Sequence, residues 1–171
     1  MRKRGEKDHP SPVLAHDHVR DLLVERNGEV GAAGGAIGGA AGGGVPGSRG
    51  GASGGRTGGR LGARLFTRVT GLSRSLAVPC TDDAVARARD VAAPLLDEAA
   101  LPRRDVASPL VLVGMVGAGA MGMNSAVVQL VWHPGRLDVT AHALEGIIDQ
   151  RTASGAIDKL EEALTPFLRT G

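Results

Sequence analysis

Gly117, Gly119 and Gly122 stand in the pattern Gly-x-Gly-x-x-Gly directly behind the apolar run Leu110 to Val116. In a dinucleotide-binding fold, such glycines turn the chain from a strand into a helix whose first amides hold a pyrophosphate. An acid about twenty residues further on then holds the adjoining ribose. Asp138 stands near that distance. The pattern alone is weak, because the chemistry needs the helix. Val127, Val128 and Val131 follow the glycines, and β-branched residues disfavour helix. Only about fifty residues remain, too few for the further parallel strands of that fold. The competing reading is a glycine-rich bend between two strands. The sequence favours the bend, so the leading reading carries no cofactor. NAD(P) held by Gly117, Gly119, Gly122 and Asp138 belongs to the alternative of an oxidoreductase.

Other reactive residue types are sparse. Cys80 is the only cysteine, placed between a strand end and a helix start, where a helix dipole can lower a thiol pKa. Asp82 and Asp83 oppose that effect, and a half-buried structural cysteine is the plainer reading. His133 and His142 are the nearest candidates for a base. His16, Asp17 and His18 form the densest group of metal-ligand types, but His16 and His18 face apart on a helix, and no spacing matches a zinc pattern. No catalytic residue and no metal site is assigned.

Arg49, Arg56, Arg60 and Arg64 lie among Gly and Ser and resemble arginine–glycine segments that contact nucleic acid. They supply charge for phosphates. The chain offers few stacking platforms, with no Tyr, two Phe and one Trp. The nucleic-acid reading is therefore of weak, salt-sensitive contact.

Three regions must position these groups. Residues 1–30 form a charged tail in which 13–26 can make a short amphipathic helix through Val19, Leu22 and Leu23, with Gly28 as its stop. Residues 31–65 are Gly/Arg-rich, and 31–62 hold 16 of the 27 glycines. Gly31, Gly35, Gly39 and Gly43 recur every four residues, the small-residue pattern of close helix contact. Glycine is nevertheless a poor helix former in water, and composition reads as a flexible, disordered linker. The formal charge of +2 is uneven, since residues 1–64 carry ten Lys/Arg against six Asp/Glu and residues 65–171 ten against twelve.

Residues 66–171 carry the folded unit. Leu72 to Val78 reads as a strand. Thr81 caps a helix through Val85, Ala88, Ala92, Leu95 and Leu96, which Pro94 divides. Leu110 to Val116 reads as a strand. Residues 126–132 and 137–143 alternate on either side of Pro134-Gly135 and predict an antiparallel hairpin turning at His133 to Arg136. Ala153, Ala156, Ile157, Leu160, Leu164, Phe167 and Leu168 make the apolar stripe of a last helix, capped by Thr152 or Asp149. The expected fold is α+β: an antiparallel sheet of about four strands in the order β-α-β-β-β-α, two helices on one face, and a disordered glycine-rich arm in front.

Residues 72–171 resemble small uncharacterised βαβββα domains of high-GC bacteria. The likeness rests on the turn Gly117 to Asn124, the hairpin 126–143 and the helix 152–168, and it brings no catalytic residues. A polar sheet face at Asp138, Thr140 and His142, with no catalytic constellation, points to a non-enzymatic interaction or ligand-binding module. A protein partner is compatible with this reading. A single cysteine, no membrane span and no apolar stretch behind Arg2, Lys3 and Arg4 point to a cytoplasmic protein.

Overall fold

The computed structural model describes residues 14–78, 81–97, 111–118, 124–146 and 151–168. The chain runs α1 (His16–Phe66), β1 (Arg68–Ala77), α2 (Asp82–Ala92), a 3₁₀ turn (Ala93–Leu95), β2 (Val111–Ala118), β3 (Asn124–His133), β4 (Arg136–Glu145) and α3 (Thr152–Leu168). The four strands form one antiparallel sheet in the order β1-β4-β3-β2. The class is α+β.

The hairpin turns where alternation places it, with His133 paired to Arg136. Gly135 has φ 75°, the left-handed geometry that the second central position of a type II turn demands. Alternation then sorts β3 and β4 by face. Ala126, Val128, Leu130 and Trp132 join Leu137, Val139, Ala141 and Ala143 in the main core, with α3 residues Ala156, Ile157, Leu160 and Leu164 and α2 residues Ala88 and Ala92. The side chains of Phe167 and Leu168 lie outside the described residues. Thr81 caps α2, its hydroxyl accepting from the Ala84 amide at 3.3 Å. Pro94 lacks the amide a longer helix needs, and α2 gives way to the 3₁₀ turn at that point. Leu96 then packs on Gly114, where a Cβ would sit 2.5 Å from the leucine Cβ.

Two elements depart from the sequence reading. The cap of α3 comes from Glu145 at the end of β4, which accepts from the Thr152 amide at 2.9 Å. An anion there is favoured by the partial positive charge of the helix start. Asp149 lies outside the described residues.

The larger departure is the glycine-rich arm. Composition predicts a disordered linker over 31–65, with a helix stopping at Gly28. The structure instead carries α1 through 51 residues, broken only at Gly44 (φ 61°, ψ −148°). That backbone geometry is open to glycine and strained for other residues. Pro46 follows at the start of the second half, where its missing amide costs nothing. The two halves fold back on each other as a helical hairpin. Gly31 lies against Gly55, Gly35 against Gly51 and Gly39 against Gly47, and a Cβ on any of them would fall 2.0–2.4 Å from a facing carbonyl oxygen. Each step of four along one helix is met by a step of four back along the other. This close backbone approach offsets the poor helix propensity, which composition alone misses. Gly43, the fourth residue of the expected row, has open space around it.

The first turns of α1 cover the sheet face opposite α2 and α3. Leu14, Val19 and Leu23 pack there against Met115 and Val127. Beyond them, positions 29–62 contribute no buried residue. The arm therefore leaves the domain, and 29–43 alone would reach about 22 Å at the helical rise of 1.5 Å per residue. No helix among the described residues is long and apolar enough to cross a membrane.

Candidate functional site

The alternation that sends Leu137 and Val139 into the main core sends Asp138, Thr140 and His142 to the face under α1. The sequence presents these three as a polar, ligand-facing surface. The structure covers them: Asp138 is 1% exposed and Thr140 8%. Their partners come from β1, whose odd positions share that face. The Ser75 hydroxyl donates to Asp138 Oδ1 at 2.5 Å, and the Ser73 and Thr140 hydroxyls lie 3.1 Å apart. Gln129, beside Thr140 in the register, accepts the Leu14 amide on Oε1 at 2.8 Å. This bond ties the entry of α1 to the centre of the sheet.

Asp138 is the focus of the face. Its Oδ2 lies 3.2 Å from His133 Nε2 and 3.1 Å from Arg136 Nη2. Neither contact is aligned as a hydrogen bond, and the Arg136 guanidinium is the charge set against Oδ2. The set contains Ser, His and Asp, but in the wrong order for nucleophilic catalysis. A relay needs the imidazole between hydroxyl and carboxylate, to take the hydroxyl proton. Here the carboxylate lies between them, and the serine proton is given to Asp138. The arrangement neutralises a buried acid at the hairpin turn.

His142 sits in the row above, half-buried against Gly71, where a Cβ would come 2.9 Å from its Nδ1. Its pKa is lowered, first by desolvation and then by the charge of His16 on α1. His142 and His133 lie nine positions apart along the hairpin and do not converge. His16, Asp17 and His18 open α1, and no group of three metal-ligand types gathers among the described residues. Cys80 lies outside those residues.

At the other end of the same face, a cleft of about 180 Å³ opens between α1 and the sheet. Arg26 and Asn27 line it from the helix, and Thr67, Asn124, Ser125 and Gly146 from the sheet end. Arg26 is held by Glu29 at 2.8 Å, with Asp97 at 4.0 Å. Gly117 pairs with Ser125 at this end, so the Gly-x-Gly-x-x-Gly segment starts beside the cleft. Gly119 and Gly122 lie outside the described residues.

This geometry separates Gly117 from Asp138, two parts of the alternative dinucleotide site. Of the segment that would have to be a helix, Gly119 to about Trp132, the described part from Asn124 on lies in strand β3. Its residues are paired on both sides, and of the valines that disfavour helix Val127 and Val128 are buried on opposite faces of the sheet while Val131 is half-buried. Asp138 lies six residues along β4 from Leu144, the strand position level with the cleft, which is about 20 Å at the strand rise. Groups meant for adjoining parts of one ligand are thus at opposite ends of the sheet. The cleft is also below the roughly 300–1,000 Å³ of ordinary small-molecule pockets.

The four arginines share the second helix of the hairpin. Arg60 is paired with Glu25, and Arg64 lines a shallow depression with Asp17 and Asp21. Sequence reasoning missed this acidic row. Asp17, Asp21, Glu25 and Glu29 recur every four residues on the first helix, and Arg56, Arg60 and Arg64 do so on the second. Two complementary rows of equal period are the signal that would have revealed the hairpin. Arg49 and Arg56 have no ion pair among the described residues. Arg74, also missed, reaches from β1 to α3 and donates to Asp158 at 2.6 Å and Glu161 at 2.9 Å. Its pKa is raised, chiefly by those two hydrogen bonds.

Comparison with family models, curated proteins and solved structures finds no match to this chain.

Proposed function

We propose that this chain is a non-enzymatic protein-interaction module, in which the α+β domain anchors the helical hairpin and the hairpin makes the contact. One observation carries the reading: over 29–62 the chain is helical, yet it buries no side chain in its own domain. Its backbone packing holds a defined shape, and that shape presents Ile37 (74% exposed) and Val45 (69%) near the tip. Isolated apolar side chains on a surface are ordinary. Here they sit on a thin element that has no core of its own to serve. Two charged groups of the sheet, Arg74 and Asp138, are engaged in internal pairs.

The test replaces residues 31–59 with a short turn in the full chain. The domain should keep its thermal unfolding, and protein contacts read by quantitative cross-linking in cells should be lost. Unchanged cross-links would remove the hairpin from the contact. A second reading, weak nucleic-acid binding, draws on Arg49 and Arg56, which have no ion pair among the described residues. A salt-dependent shift of a single-stranded oligonucleotide, lost when both are replaced by Gln, would favour it over a protein partner. The oxidoreductase alternative would require NADH to bind at the cleft, which isothermal titration reads directly.

A further inference from the structure

We infer that the free edge of β1 is a dimer interface, pairing antiparallel with β1 of a second copy of this chain so that the two four-stranded sheets join into one. This goes beyond the proposed role of the hairpin and uses a different surface.

The sheet has two edges, β1 and β2. The edge of β2 is bridged at Met115. Asp97 exchanges backbone hydrogen bonds with Met115, its amide donating to the Met115 carbonyl at 2.8 Å and its carbonyl accepting from the Met115 amide at 3.3 Å. The outer edge of β1 has no such partner among the described residues. It is ten residues long, and its pairing with β4 runs one to one from Arg68 to Ala77 without a bulge. Natural edges are guarded against pairing by proline, lysine, bulges or covering segments. β1 contains no proline and no lysine. Its central charge, Arg74, is drawn off the edge onto Asp158 and Glu161 of α3.

The register fixes which backbone groups are free. The Val78 amide donates to the Gly135 carbonyl, so alternate residues from Val78 back along β1 bond to β4. The intervening residues, Val69, Gly71, Ser73, Ser75 and Ala77, turn their N–H and C=O outward. Four of these five are small, and their side chains lie on one face.

The occupant is a second copy because the edge complements itself. With a two-fold axis at Ser73, each Gly71 faces the other copy's Ser75, and each Leu72 faces the other copy's Arg74. No charge opposes its like directly, which is the arrangement that would otherwise destabilise the pair. Leu72, an exposed large apolar residue at 37%, gains the aliphatic stem of an arginine whose head is already engaged.

The experiment measures the mass of the full chain by sedimentation across micromolar to millimolar concentration, for the natural sequence, Ser73→Pro and Ser73→Lys. The Ser73 amide points outward, so proline there removes an intermolecular donor and leaves the ladder to β4 intact. The expected result is a dimer whose dissociation constant rises about tenfold or more in both variants, a loss of at least about 1.4 kcal/mol. Register is read separately with Ser73→Cys in a Cys80→Ser background. Paired residues at the axis have Cα atoms about 5.5 Å apart, within disulfide reach. Mild oxidation should link Ser73→Cys to itself, and Gly71→Cys to Ser75→Cys in a mixture but neither to itself. The disulfide variants do not depend on either edge-blocking variant folding. A monomer throughout overturns the inference. So does a dimer that Ser73→Lys leaves intact and that removal of 31–59 abolishes, since its interface would then be the hairpin.

Discussion

Alanine placed on either side of the hairpin separates its close packing from its helix propensity. Gly35 faces the partner helix, and a Cβ there would lie 2.0 Å from the Gly51 carbonyl oxygen and 2.7 Å from its carbon. Gly34, one residue earlier, has nothing within 4 Å of the same position. Both changes carry the same intrinsic gain, about 0.8–1 kcal/mol for Ala over Gly in a helix. Only the inner one must push the helices apart, by more than an ångström, at an overpacking cost of about 1–3 kcal/mol per site. Triple variants amplify the contrast at identical composition. Gly34, Gly38 and Gly42→Ala should stabilise the arm by roughly 2–3 kcal/mol. Gly31, Gly35 and Gly39→Ala meets three facing carbonyls and should open the hairpin. Amide hydrogen exchange across 31–43, resolved by mass spectrometry, reads the local opening free energy. Slower exchange in the outer set and faster exchange in the inner set is the expected pair of results. If both sets slow exchange equally, the two helices do not touch, and the account of the arm is wrong.

Three further outcomes follow from the domain. Leu160 is fully buried in the main core, so Leu160→Asp should cost several kcal/mol against a total of about 5–15 and unfold the domain, whereas the exposed Glu162→Ala should stay within about 0.5 kcal/mol; equal denaturation midpoints would mean α3 is not docked. Glu145→Ala removes the cap of α3 and should cost about 0.5–2 kcal/mol, with faster exchange at the Thr152 amide; unchanged exchange there would refute the capping role. The His142 pKa is lowered in the folded chain, so its neutral form contributes stability that is full above the unfolded value of about 6.5 and is lost as pH falls from there through the folded value. Thermal melts of the natural chain should therefore decline over that range more steeply than those of His142→Asn, and parallel profiles would contradict the burial of His142 beneath α1.

Much of the domain is legible in the sequence because its periods are strict and local. The alternation around Pro134-Gly135 specifies both faces of the β3–β4 hairpin, and the stripe from Ala153 to Leu164 specifies the buried side of α3. The polar face was misread because alternation reports only that Asp138, Thr140 and His142 share a side. What covers that side comes from residues more than a hundred positions earlier, as in the bond from the Leu14 amide to Gln129. The small, polar odd positions of β1 are the hidden counterpart, since Ser73 and Ser75 pair with Thr140 and Asp138 once β1 lies beside β4. The arm failed for the opposite reason. Its glycine period was visible, but single-residue propensity argues against helix, and the matching row from Gly47 to Gly59 lies in a segment that composition marked as arginine-rich linker. Gly44, the one residue whose backbone allows the reversal, is indistinguishable in sequence from its neighbours.

The central claim is that the hairpin, and not the domain, meets the partner. A photoreactive residue placed at Ile37 in the full chain, compared in cells with one at the exposed Arg87 on α2, tests it directly. The account predicts strong cross-linking to protein from Ile37, little from Arg87, and loss of the Ile37 signal when Gly31, Gly35 and Gly39 are changed to Ala. Cross-linking from Ile37 no greater than from Arg87, or unaffected by opening the hairpin, would contradict it.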